Sequence, residues 1–141
     1  MNEEYTYTTS FFIVQLAKLH RQRISDEFAK LGIFVGQDMI LKLLWEENGL
    51  TQTQIINKLK VEPPTITKMI HRMEKAGLLR RKRDSQDARV SRVYLTEQGY
   101  QLKEPIIQVW SRLDEALMEG ITDQEQASLN KMLKRLLRNM S

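Results

Sequence analysis

Between Gly49 and Gly77 the sequence is punctuated too closely for a long helix, and this spacing limits the fold more than any other feature. Thr51-Gln52-Thr53-Gln54 reads as a capping box, in which the Thr51 hydroxyl and the Gln54 amide satisfy free backbone N–H groups at a helix start. The helix it opens carries Ile55, Ile56 and Leu59 and gives way to the turn Lys60-Val61-Glu62. Pro63-Pro64 suits the first turn of a second helix, where a missing N–H does little harm, and leaves its first residue open by one position. That helix carries Ile66, Met69, Ile70 and Met73 on one face and ends at Ala76-Gly77. Two short helices joined by a tight turn form a helix-turn-helix pattern.

Beyond Gly77 the pattern is no longer helical. The runs 78–83 and 90–95 flank the polar turn Asp84-Ser85-Gln86-Asp87-Ala88, and Val93 and Leu95 alternate with Arg92 and Tyr94. Such alternation predicts strands with one buried and one wet face. A helix-turn-helix that leads into a basic hairpin is a winged helix.

The charge is concentrated in the same place. Between Lys68 and Arg92 there are nine Lys/Arg and three acids, a local charge of +6, against 13 bases and 15 acids elsewhere. A basic segment on a slightly acidic body suits a polyanionic partner, here double-stranded DNA. The plain alternative is a solvated basic hairpin.

Helical periodicity extends on both sides. A first helix is expected from about Ser10 to Lys30, with Ile13, Leu16, Ala17, Ile24, Phe28 and Leu31 at helical spacing and Gly32 as a stop. A second runs from about Gln37 to Asn48, with Ile40, Leu43 and Leu44 inward. After the hairpin, Thr96 caps a long helix through Glu97 to about Met118, bent at Pro105. Gly120 closes it, and Thr122-Asp123-Gln124-Glu125 is a second capping box opening a final helix with Leu129, Met132, Leu133, Leu136 and Leu137. The expected fold is mainly α with a small β-hairpin: a winged helix-turn-helix flanked by long N- and C-terminal helices. At 141 residues this is one domain.

Several function classes have no support. With no cysteine there is no disulfide, thiolate metal site or thiol redox switch, and two histidines do not make a histidine-rich zinc site. The acidic start Met1-Asn2-Glu3-Glu4 argues against a secretory signal, and no stretch approaches the roughly 18 apolar residues of a membrane span, so a cytoplasmic protein is expected. A glycine-rich phosphate loop, a nucleophile with paired carboxylates and a metal-ligand cluster are all missing, so no enzyme activity and no cofactor are expected. A protein-binding winged helix is the remaining alternative, and the +6 window argues against it.

The passage Asp87-Ala88-Arg89-Val90-Ser91-Arg92-Val93-Tyr94-Leu95-Thr96-Glu97-Gln98-Gly99 resembles the D-x-R … L-T-x-x-G pattern of the MarR family of winged-helix transcriptional regulators. Leu50-Thr51-Gln52 and Met73-Glu74-Lys75-Ala76-Gly77-Leu78-Leu79 resemble the same family, as does the helix order along nearly the whole chain. The resemblance implies an obligate homodimer, with residues 1–34 and 100–141 as dimerisation helices and 36–98 as the DNA-binding winged helix. It also implies a repressor on a pseudo-palindromic operator, released by a small aromatic or anionic effector. The apolar terminal helices are consistent with a two-fold dimer presenting two recognition helices to successive major grooves.

Candidate DNA contacts fall on both elements of the winged helix. Pro64, Thr65, Thr67, Lys68, His71 and Arg72 lie toward the exposed side of the second helix of the motif; for His71 partial burial is the alternative. Thr65 and Thr67 can meet phosphate or a thymine methyl, and Arg72 can fork onto guanine or clamp a phosphate. Gln52 and Thr53, at the start of the supporting helix, suit phosphate. In the wing the resemblance implies that Arg89 enters the minor groove, with Asp87 orienting it or pinning the turn. Arg81 and Arg83 share one strand face and Arg80 and Lys82 the other; Arg81 and Arg83 are carried as candidates, although alternation alone does not say which face meets DNA. An effector cavity would draw on Phe12, Leu16, His20, Phe34, Met39, Trp45 and Trp110, for each of which plain core packing is the alternative.

Overall fold

The computed structural model describes residues 8–141; the acidic start Met1–Glu4 lies outside the described residues. The chain begins with helix α1 (Thr9–Lys30), capped by the Thr8 hydroxyl, which accepts from the Phe11 N–H at 3.2 Å. Next come helix α2 (Gln37–Glu46), strand β1 (Leu50–Thr51), helix α3 (Gln52–Leu59) and helix α4 (Pro63–Lys75). Strands β2 (Leu79–Arg83) and β3 (Ser91–Leu95) form the wing, and helices α5 (Glu97–Gln101), α6 (Lys103–Leu117) and α7 (Asp123–Met140) complete the chain. Among the described residues no helix is long and apolar enough to cross a membrane.

Both capping boxes form as their sequences require. Thr51 Oγ1 accepts from Gln54 N at 3.1 Å while Gln54 Oε1 accepts from Thr51 N at 2.8 Å, and Thr122 and Glu125 repeat the arrangement at 3.1 and 3.0 Å. Lys60 ends α3 in the left-handed region at φ 53°, and α4 starts at Pro63, which settles the prolines at its first two positions.

The wing belongs to a three-stranded antiparallel sheet of order β1-β3-β2. The third strand, β1, is absent from the expected fold: it is two residues long and pairs Leu50 with Val93 and Thr51 with Arg92. To reach this pairing the chain leaves α2 at Glu46, two residues before the expected end at Asn48, and Gly49 N donates to Val93 O at 3.0 Å.

A second correction concerns the long helix after the wing. Instead of bending at Pro105 it breaks at Leu102, giving α5 and α6. Pro105 would clash with the carbonyl of residue 101 in a continuous helix, so the chain restarts and the proline occupies the first turn of α6, where no N–H is missed.

One core joins all these elements except α5 and α7. Phe28 of α1, Ile40 and Leu44 of α2, Ile55 of α3, Ile66 and Ile70 of α4, Val93 of β3 and Ile106 of α6 are all at most 1 % exposed. At about 25 cal/mol per Å² of apolar surface, each such side chain contributes about 1.5–3 kcal/mol of transfer free energy. The apolar stripe of α1 is inward only at Ile24 and Phe28; Ile13 and Leu16, at the same helical spacing, are 45 % and 52 % exposed. No residue of α7 is buried, and Met132, Leu133, Leu136 and Leu137 form an open apolar face.

Candidate nucleic-acid interface

Helix α4 divides cleanly along its length. Ile66, Ile70 and Met73 are fully buried at spacings of four and three, so Pro64, Thr65, Lys68, His71 and Arg72 are turned to solvent. His71 is exposed, not partly buried. Thr67 is exposed as well, but its hydroxyl is engaged: it donates to Pro63 O at 2.9 Å and accepts from Gln52 Nε2 at 2.7 Å. Thr67 therefore locks the start of α3 onto α4 and orients the Gln52 amide, leaving mainly its methyl group free for a base. Thr53, one residue on, is exposed.

The strand register resolves the two faces of the wing. Arg81 lies opposite Val93 and Leu79 opposite Leu95, so Arg81 and Arg83 share the face that is buried at the root of the wing. Arg80 and Lys82 lie opposite Tyr94 and Arg92 on the other face. On the first face Arg81 is intercepted by Glu74 near the end of α4. Its Nε and Nη2 donate to the two carboxylate oxygens at 3.3 and 3.2 Å, and its backbone N–H donates at 3.1 Å. The Arg81 guanidinium holds the Glu74 carboxyl below its usual range. This pair ties the recognition helix to the wing, and no local sequence signal announces it.

At the tip, Arg89 is 91 % exposed. Asp87 holds it from both oxygens: Oδ1 accepts from Nε at 3.1 Å and Oδ2 from Nη2 at 3.2 Å, while Oδ1 also accepts the Arg89 backbone N–H. Thus Asp87 both orients the guanidinium and pins the turn. Its carboxyl is lowered from the ordinary range by Arg89. Lys82, Arg83 and Arg89 border one open groove of about 560 Å³. The arrangement offers cations at protruding positions, with Arg89 held in place by Asp87.

The winged-helix segment is similar to known proteins. The model of the MarR family matches residues 35–91, from just before α2 to the first residue of β3. Over that segment the chain is similar to the MarR family. Over 80 residues it is 40 % identical to the organic hydroperoxide resistance transcriptional regulator of Bacillus subtilis (strain 168), covering 57 % of this chain and about half, 54 %, of that relative's length. A MarR transcriptional regulator from Methanosarcina mazei Go1 superposes with a TM-score of 0.78 at 28 % identity, over 90 % of this chain and 91 % of the other. A putative MarR family transcriptional regulator from Listeria monocytogenes, solved in complex with a 26mer DNA, gives 0.79 at 26 % identity, over 94 % and 89 %. These relatives are transcriptional regulators, a non-enzymatic class.

The MarR pattern L-T-x-x-G has a local physical reading in this chain. Leu95 is core; the Thr96 hydroxyl accepts from Gly99 N at 3.2 Å to cap α5 and donates to Gly77 O. Gly99 lies against Leu78: a Cβ there would come within 2.4 Å of the Leu78 carbonyl oxygen. The signature thus fixes how the wing hands the chain to the terminal helices.

The residues expected to line an effector cavity are divided in the fold. His20 and Trp110 border a groove of about 410 Å³ between α1 and α6, and Leu16 with His20 borders a second of about 260 Å³. Trp45 contacts Trp110 edge-on at 6.4 Å between ring centres. Both indole N–H groups are engaged inside the fold, Trp45 to Gly99 O and Trp110 to the buried Asp38 carboxylate, each at 3.2 Å. Phe12, Phe34 and Met39 are exposed at 54 %, 68 % and 40 % and border neither groove.

Proposed function

We propose that the protein is a sequence-specific DNA-binding transcriptional regulator, acting in the cytoplasm as a homodimeric repressor on a pseudo-palindromic operator. The observation that carries this reading is the placement of charge. The +6 segment is folded so that Lys68 and Arg72 on α4 and Arg89 on the wing are exposed, on two elements joined by the Glu74–Arg81 pair. In this reading Pro64, Thr65, Lys68, His71 and Arg72 approach the major groove. Gln52, Thr53 and Arg83 contact phosphate, and Arg89 enters the minor groove with Asp87 behind it. Thr67 acts through Gln52, and Arg81 acts mainly by binding Glu74. The Listeria relative, solved with a 26mer DNA, supports DNA as the partner.

The dimer is supported by the open apolar faces of α1 and α7, which a second copy of the chain would cover. A small aromatic or anionic effector would act at the α1–α6 grooves by favouring a dimer whose α4 helices are wrongly spaced for DNA. Titration of a random-sequence duplex tests the core of the proposal. With about 6–10 phosphates neutralised per dimer, affinity falls about 10³–10⁵-fold between 50 and 200 mM salt. Salt-insensitive binding, or none, contradicts it. Sedimentation tests the dimer, and a panel of aromatic acids added to the DNA complex tests release.

A further inference from the structure

We propose that Asp84 and Arg92 are a positioning pair that sets the pose of Arg89 on DNA, making Asp84 a determinant of flank preference although it carries the wrong charge to bind DNA itself. The inference rests on the proposed regulator function and concerns residues outside its contact set.

Arg92 is the second residue of β3 and is only 35 % exposed, in contrast with Arg89. Its Nε donates to Asp84 Oδ1 at 2.8 Å, and its Nη1 donates to the Gly49 carbonyl at 2.9 Å. That carbonyl is a fixed anchor. Gly49 has φ +83°, its N–H donates to Val93 O, and a Cβ there would come within 2.8 Å of the Tyr94 ring. Arg92 therefore fastens the wing to the corner between α2 and β1, which the core holds through Leu44 and Leu50.

Asp84 carries the constraint into the tip. Its second oxygen accepts the N–H groups of Gln86 and Asp87 at 3.1 and 3.0 Å, and its own N–H donates to Val90 O. The backbone of Asp87 is thus placed by Asp84, and the carboxylate of Asp87 in turn holds Arg89. Every link from the Gly49 carbonyl to the Arg89 guanidinium is a hydrogen bond of 2.8 to 3.2 Å. Arginine suits the first position because its planar fork reaches two acceptors at once. Without the Asp84–Arg92 bond the wing keeps its strands, but Arg89 is presented in many poses, and a narrow minor groove rewards only some of them.

The charge of Asp84 makes the test decisive. If Asp84 acted only through its charge, Asp84→Asn would tighten binding to every DNA, because it removes an acid from a basic wing. A positioning role predicts something different. The full-length chain and its variants are titrated with an operator selected from a random pool, built with A·T-rich or G·C-rich flanks. Wild type prefers A·T-rich flanks and Arg89→Ala does not. Asp84→Asn and Arg92→Met each lose about 5–10-fold of the preference, while Asp84→Asn binds random duplex as tightly as wild type or tighter. In the Arg89→Ala background Asp84→Asn changes the flank preference no further, because both act on it through one contact.

Full flank preference in Asp84→Asn and Arg92→Met overturns the proposal. So does an equal effect of Asp84→Asn on flank preference with and without Arg89. If Asp84→Asn loses its helical circular dichroism, Arg92→Met, which leaves Asp84 to hold the turn, decides alone. Failure of the wild type to bind DNA is a different outcome and overturns the regulator function instead.

Discussion

Gly99→Ala is the smallest change that should disturb how the wing joins the terminal helices. The added Cβ meets the Leu78 carbonyl oxygen at 2.4 Å and Leu95 Cδ2 at 3.0 Å. The leucine side chain can rotate away, but the carbonyl cannot, because it accepts from Thr96 N at 3.1 Å. Nor is α5 free to slide: Gly99 O accepts from Trp45 Nε1 and Gly99 N donates to Thr96. Overpacking of this kind costs about 1–3 kcal/mol, and a backbone obstacle takes the upper end. Helix propensity works in the opposite direction, favouring alanine by about 1 kcal/mol. The net loss is about 2 kcal/mol, or about 6–10 °C in Tm for a domain of this size. The assay is thermal melting monitored by circular dichroism at one fixed protein concentration, since the proposed dimer would melt in a concentration-dependent way. Gly120→Ala is the control: φ there is +78° and nothing lies within 4 Å, so only backbone strain of about 1 kcal/mol applies. A Gly99→Ala melting temperature equal to wild type, or lowered no further than that of Gly120→Ala, refutes the packing argument.

Thr67→Val keeps the shape and methyl group but removes a hydroxyl that holds Gln52. Stability should change by less than about 1 kcal/mol because both hydrogen bonds are exposed to water. DNA binding should weaken in wild type and not in a Gln52→Ala background; equal losses in both backgrounds would mean that Thr67 contacts DNA itself. Glu74, Asp84 and Asp87 contribute to the pH dependence of stability, since their carboxyls are lowered by Arg81, Arg92 and Arg89 respectively; Glu27 and Glu125, lowered by Lys30 and Thr122, act in the same direction. Groups lowered on folding stabilise above their unfolded pKa and lose that contribution as pH falls through the folded one. Tm should therefore hold from neutrality to about pH 5 and decline below about pH 4, with a shallower decline in Glu74→Gln; a Tm that rises on acidification contradicts these pairings.

The features legible in the sequence are local ones. Capping boxes at Thr51 and Thr122, the prolines opening α4 and the alternation of Val93 and Leu95 depend on neighbours a few residues away, and they appear where the sequence puts them. Strand β1 is not legible because two residues carry no period, and its partner lies more than 40 positions on. Pro105 signals an interruption but not its position, since the strain falls on a carbonyl four residues earlier. The candidate site is readable as a set of exposed cations but not as a circuit. Glu74, Asp84 and Arg92 are distant in sequence from, or unremarkable beside, the residues they hold, so the diversion of Arg81 and the fastening of the wing emerge only from the fold. The apolar stripes of α1 and α7 are equally visible, and both stay largely open in the fold of the described residues.

Selection of bound DNA from a random duplex pool tests the central claim most directly. Enrichment of a pseudo-palindrome whose half-sites lie about 10–10.5 base pairs apart, one helical turn, is expected. Each half-site should carry A·T-rich flanks whose enrichment disappears when Arg89 is replaced by alanine. A pool that emerges without a two-fold repeat, or that is enriched identically by the Arg89→Ala protein, would contradict it.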